Sequence, residues 1–206
     1  MKEILPYVIE LKEEDLTFDP RGLVADGMPI ELEIGCGNGR FLTANAIKHP
    51  EIHYFGVERM MDRVRRCSRK AERGGLANLT FVRVEAGRFV RELLPDHCLN
   101  TLYLFFPDPW PKRRHHRNRF FQQDLCTSLA RVLVPNGKIY ISTDHEEYFK
   151  EMLCYLTEDV RFEPIPVLLR EEDEQTDFER LFLEKGDPIY HCAFQCFQER
   201  KESHEN

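Results

Sequence analysis

Short apolar segments alternate with longer amphipathic ones along most of this 206-residue chain. Residues 30–34, 52–57, 79–84, 101–106 and 138–142 read as strands; 40–49, 60–73, 87–94, 119–133 and 145–156 read as helices. Strands joined through helices at this spacing run parallel, because a parallel pair needs a crossover connection. The pattern predicts an α/β fold with a doubly wound, mostly parallel, Rossmann-like sheet. The rhythm breaks near the end. Residues 170–179 form a polar, acidic loop leading into a short helix, and residues 189–197 alternate like a closing antiparallel strand. No repeat or low-complexity linker divides the chain. A single domain over 1–206 is expected, with 1–29 as an N-terminal extension, 30–144 as a cofactor-binding half and 145–206 as a substrate-binding, sheet-closing part.

Composition excludes several classes. No apolar run approaches the roughly 20 residues that span a bilayer, and residues 1–6 carry no signal-peptide pattern. Seven cysteines are scattered without a CxxC pair, which predicts reduced thiols, a cytoplasmic setting and no structural zinc. The net charge of −7 argues against a nucleic-acid binder, but charge is unevenly spread. Lys112, Arg113, Arg114, Arg117 and Arg119 lie together with no acid among them. A second basic set (Arg59, Arg63, Arg66, Lys70 and Arg73) falls at helical spacing. It is either a solvated face or a second contact for nucleic acid.

The first strand leads into Gly35-Cys-Gly-Asn-Gly39 and then a helix, an arrangement that brings backbone N–H groups to a ligand. The dinucleotide fingerprint GxGxxG requires glycine at position 40, which here is Arg40. Instead Glu33 stands two residues before Gly35, with Gly37 following. A carboxylate there pairs with the cationic amino group and sulfonium of S-adenosylmethionine, and repels a pyrophosphate. At the next strand end Glu58 is placed to accept hydrogen bonds from ribose hydroxyls, and Glu85 to reach an adenine amino group. The bland alternative for Glu58 and Glu85 is a pair of solvated surface acids.

Residues 106–117 carry the most specific chemistry. Asp108 sits among three prolines beside the only tryptophan, Trp110, and a cationic run follows at once. Proline fixes φ and removes a donor, so this is a stiff loop at a strand's carboxyl end, where open α/β sheets bind ligands. Trp110 either stacks on a base or anchors the loop. His115 and His116 read as polar contacts rather than metal ligands.

At these motifs the chain resembles the bacterial tRNA (guanine-N7)-methyltransferases. The matching stretches are Glu33-Ile-Gly-Cys-Gly-Asn-Gly39, Gly56-Val-Glu58, Phe106-Pro-Asp-Pro-Trp-Pro-Lys-Arg-Arg-His115, Ser142-Thr-Asp144, Thr176-Asp-Phe-Glu179 and Gly186-Asp-Pro-Ile-Tyr190. The resemblance implies a class I methyltransferase fold that uses S-adenosylmethionine to modify a guanine in the tRNA variable loop. Glu33, Gly35, Gly37, Glu58 and Glu85 would hold the cofactor. Asp108 would be catalytic, touching cofactor and guanine. Lys112, Asp144, Thr176, Asp177, Phe178 and Glu179 would bind substrate, and Arg113, Arg114, Arg117 and Arg119 would meet tRNA phosphates. Two departures stand out: Glu85-Ala86 replaces the family's Asp-Ala, and Asn118 replaces a cation.

Guanine N7 attacks through an in-plane lone pair and carries no proton, so the expected chemistry needs positioning and charge management rather than a general base. The expected enzyme is a monomer or homodimer without a metal. Two rivals remain at this level: a methyltransferase for a small molecule or protein, and a noncatalytic RNA-binding or partner subunit on the same fold.

Overall fold

The computed structural model describes residues 5–197. Residues 1–4 and 198–206, which the expected domain range 1–206 includes, lie outside the described residues. The chain runs β1 (Val8–Glu10), β2 (Ile30–Ile34), α1 (Arg40–Lys48), β3 (His53–Val57), α2 (Met61–Gly74) and β4 (Leu79–Arg83). It continues with α3 (Ala86–Arg88), a π-helical turn at Phe89–Leu93, β5 (Leu99–Phe105) and α4 (Leu125–Val132). Then follow β6 (Leu133–Thr143), α5 (Glu146–Glu158), β7 (Phe162–Pro164), α6 (Asp177–Lys185) and β8 (Tyr190–Cys196).

One sheet orders these strands β1-β4-β3-β2-β5-β6-β8-β7. All pairings are parallel except those of β8, which runs antiparallel between β6 and β7. The expected parallel sheet and closing strand are both present. Successive residues of a strand face opposite sides of a sheet, and here both sides are covered. Leu102 and Leu104 of β5 enter one core with Leu129 and Met152, while Tyr103 and Phe105 enter another with Phe41 and Phe81. Burial on both faces is why the strands read as nearly continuous apolar runs.

Several elements differ from expectation. The helix expected over 119–133 begins only at Leu125, and a separate 3-10 helix precedes it at Arg113–Asn118. The backbone N–H of Phe121 donates to the Tyr148 hydroxyl at 2.8 Å, so the buried Phe121 belongs to an irregular segment. β6 also carries a bulge early in its course. Pairing with β5 jumps from Leu99↔Leu133 to Thr101↔Lys138, with Asn136 at φ 65°. Finally, the N-terminal extension contributes β1 to the sheet, and β7 adds an outer strand; each is three residues long, too short for an alternation pattern to register.

Candidate active site

Five acids stand at or just beyond the carboxyl ends of β2 to β6: Glu33, Glu58, Glu85, Asp108 and Asp144. The first four line one open cleft of about 960 Å³ at that end of the sheet. Gly35, Cys36, Gly37 and Asn38 of the glycine turn line it as well. Gly35, Gly37 and Gly39 all hold φ between 55° and 70°, a region that an added Cβ disfavours. The N–H groups of Gly35 and Cys36 are spent on the Val57 carbonyl, at 2.9 and 3.0 Å. The turn is thereby pinned to β3, and these two donors are not offered to a ligand.

Glu33 is 3% exposed, and its Oε2 has no hydrogen-bond partner. Burial pushes its carboxyl up to about 8, against the pull of the Arg170 cation and with a further push from the Glu58 charge. An orphaned, buried carboxyl oxygen facing a cleft is a place for a cationic group. Glu58 is also buried, which removes the surface-acid reading for it; it accepts from the Met60 N–H at 2.8 Å and from Arg63 at 3.3 Å. Glu85 is exposed and caps α3, accepting from the N–H groups of Gly87 and Arg88 at 2.8 and 2.7 Å. These donors hold it at the cleft wall.

The proline loop enters the same cleft. Asp108 is exposed and has no hydrogen-bond or ion-pair partner among the described residues. Phe106 and Trp110, on either side of it, take φ values of 50° and 45°. Bulky residues seldom adopt that conformation, and it clusters at functional sites. Trp110 is 36% exposed and stands edge-on to His115, with ring centroids 5.9 Å apart. Phe106 packs against Phe182 and Phe178 of α6, at 5.5 and 6.3 Å.

Thr176, Asp177 and Phe178 complete the cleft on the far side. Thr176 caps α6 by accepting from the Glu179 N–H at 3.1 Å. Asn38 of the glycine turn donates to Asp177 at 2.8 Å, and Arg40 donates to the Gln175 carbonyl at 2.9 Å. The acidic segment is thus tied across the glycine-turn end of the cleft. Lys48 binds Glu171, Asp173 and Glu174 at 2.8–2.9 Å, so the acidic group close enough to hold a cation is centred on a lysine ammonium.

Two expected substrate contacts are buried. Glu179 is buried against Arg170, which donates to it at 2.6 and 2.8 Å, and it does not line the cleft. Arg119, expected on the tRNA surface, has a side chain only 1% exposed and is ion-paired to Glu147 and Glu151. Lys112, Arg113, Arg114 and Arg117 are exposed as expected; of these only Arg117 reaches the cleft lining, while Lys112 and the half-buried Asp144 stand outside it. On α2, Arg66 and Lys70 are spent on the glycine turn, donating to the side chain and carbonyl of Asn38 at 3.4 and 2.8 Å.

Sequence reasoning missed Arg170. Its guanidinium lies 4.1 Å from the Phe105 ring centroid, binds Ser142 and Glu179, and sends its field to Glu33. A lone arginine ahead of an acidic run carries no signal that it will be buried.

A parallel sheet closed by one antiparallel strand, with acids at successive strand ends over a single cleft, defines the class I methyltransferase type. The fold is similar to that of the 16S rRNA methyltransferase KamB (TM-score 0.64, 14% identity, 86% of this chain and 92% of that one). It is also similar to that of the antibiotic-resistance methyltransferase Kmr (TM-score 0.58, 19% identity, 88% and 92%). Residues 27–192 match the family described as putative methyltransferase, and the chain belongs to that family. Its relatives include the tRNA (guanine-N(7)-)-methyltransferase of Halorhodospira halophila, 39% identical over 86% of this chain and 79% of that protein. The enzyme of the same name from Brevibacillus brevis is 33% identical over 82% and 81%.

Proposed function

We propose that the chain transfers a methyl group from S-adenosylmethionine to N7 of a guanine in the variable loop of tRNA. The observation that carries this reading is one cleft joining the buried, unpartnered Glu33 oxygen to the exposed carboxylate of Asp108. The named relatives, alike over most of their length, support the choice of substrate.

Glu33 suits the cofactor's amino group, Glu58 its ribose and Glu85 its adenine, with Gly35 and Gly37 leaving room at the turn. Bound S-adenosylmethionine supplies an electrophilic methyl on a positively charged sulfur, which departs as a neutral thioether. The chain's own residues orient the base and manage charge. Asp108 accepts hydrogen bonds from the guanine N1–H and N2 amino group, which fixes the ring and stabilises the positive charge it gains on N7 methylation. No proton is removed from N7, so no residue serves as base toward it. Phe178, 48% exposed at the cleft, offers an aromatic face to the base. Thr176 and Asp177 border the same space. Lys112, Arg113, Arg114 and Arg117 meet phosphates beside it, and Asp144 stands behind them at the end of β6. We place the enzyme in the cytoplasm as a monomer or homodimer working without a metal. No helix among the described residues is long and apolar enough to cross a membrane.

Asp108→Asn tests the reading. Folding and S-adenosylmethionine binding should survive, while turnover on tRNA falls by about 10²–10³-fold, as when one preorganised charge-stabilising group is lost. Wild-type turnover in that variant would remove Asp108 from the chemistry. Failure of the wild-type chain to bind S-adenosylmethionine would favour a noncatalytic partner subunit.

A further inference from the structure

We infer that Arg119 is a positioning residue that holds the Asp108 loop from within, rather than a cation that meets tRNA. This rests on the cleft's being a methyl-transfer site, as proposed above. The loop from Phe106 to Trp110 is bent at both ends into conformations unfavourable for aromatic residues, with φ values of 50° and 45°. Such strain persists only where the surroundings over-determine it. At the first end, the Phe106 N–H donates to the Ser142 carbonyl at 2.7 Å, and its ring packs on α6. At the second end, Arg119 Nε donates to the Pro109 carbonyl at 2.8 Å. Asp108 lies between these two anchors.

The guanidinium is itself fixed on every side. Its two outer nitrogens pair with Glu151 and Glu147 of α5, and its centre lies 4.8 Å from the Tyr148 ring centroid. Glu151 is held in turn by the Tyr155 hydroxyl at 2.9 Å, and the Tyr148 hydroxyl is occupied by the Phe121 N–H. This chain of contacts runs from a packed helix to the residue next to Asp108. A planar, five-donor head is the group able to serve a carbonyl and two carboxylates at once; a lysine ammonium cannot reproduce that fork. The same burial leaves Arg119 almost no surface to offer a phosphate.

Single-turnover methyl transfer at saturating tRNA and S-adenosylmethionine, paired with tRNA affinity across a salt series, separates the two roles. For Arg119→Lys the expected result is a methyl-transfer rate lower by about 10²-fold, the scale of an ångström-sized misplacement. S-adenosylmethionine affinity and the salt slope of tRNA binding should match wild type. Glu151→Gln should slow the same step in the same direction, by less, with binding unchanged. A phosphate contact would instead leave Arg119→Lys, which keeps the charge, near wild type in rate and salt slope, whereas Arg119→Gln would flatten that slope by about 0.7–0.9 and Glu151→Gln would tighten tRNA binding. Any of those results, or wild-type rates in both variants, overturns the inference. If Arg119→Lys does not melt cooperatively, Glu151→Gln decides alone. Wild-type chain that methylates tRNA while the variants keep full rate sinks this inference only; wild-type chain that does not methylate tRNA sinks the reading beneath it.

Discussion

Glu33 carries an ionisable group into a place where its charge is unwelcome. Its carboxyl, ordinarily near 4.5, is pushed up to about 8 by burial. Between those values the folded chain holds a proton that the unfolded chain has released. Stability of the cofactor-free protein therefore falls as pH rises through that window. A cationic ligand reverses the preference by favouring the ionised form and expelling the proton. S-adenosylmethionine affinity should thus rise about tenfold per pH unit up to about pH 8, whereas Glu33→Gln should bind weakly with little pH dependence. Calorimetric titrations at about pH 6 and about pH 8 check this; equal wild-type affinities at both would contradict it. Glu33, Glu58 and Asp108 were legible in the sequence because each sits at a strand end flanked by glycine or proline, which fixes its place in a parallel sheet. The burial of Arg119 and Glu179 was not legible because it depends on Glu151 and Arg170, partners outside their own local patterns.

Among elements, the tightest junction lies at Gly56 of β3. A Cβ there would fall 2.6 Å from Leu42 of α1, 2.8 Å from Cys36 of the glycine turn and 2.9 Å from Phe81 of β4. All three neighbours are buried, so none can swing into solvent. Gly56→Ala should cost about 1–3 kcal/mol as overpacking, read as a lower denaturation midpoint at unchanged m-value. It should also weaken S-adenosylmethionine binding, because the displaced element is the glycine turn proposed to hold the cofactor. Unchanged stability would mean that α1 and the turn are more loosely joined than the contacts imply. Periodicity located the long elements well. It failed at residues 119–124, where Phe120 and Phe121 mimic a helix face but the backbone is diverted to serve Tyr148 and Gln122. It also failed at β1 and β7, which only the neighbouring strands define.

At the scale of the whole molecule, a chain of net charge −7 still carries local clusters of positive charge. Lys112, Arg113, Arg114 and Arg117 stand together beside Asp108. If tRNA docks on this island beside Asp108, its affinity should fall steeply with salt. Replacing Arg113 and Arg114 together by Ala should flatten the plot of log affinity against log salt by about 1–2, since each phosphate contact contributes about 0.7–0.9. S-adenosylmethionine binding should be unaffected. An unchanged slope would place the tRNA on another face.

The central claim is that this cleft brings a guanine N7 to the methyl of S-adenosylmethionine. Labelled methyl transfer from S-adenosylmethionine to unmodified tRNA, followed by nucleoside analysis, measures it directly. Label is expected in 7-methylguanosine from the variable loop, strongly reduced in Asp108→Asn. Label in any other nucleoside, or none in tRNA from a chain that binds the cofactor, would contradict it.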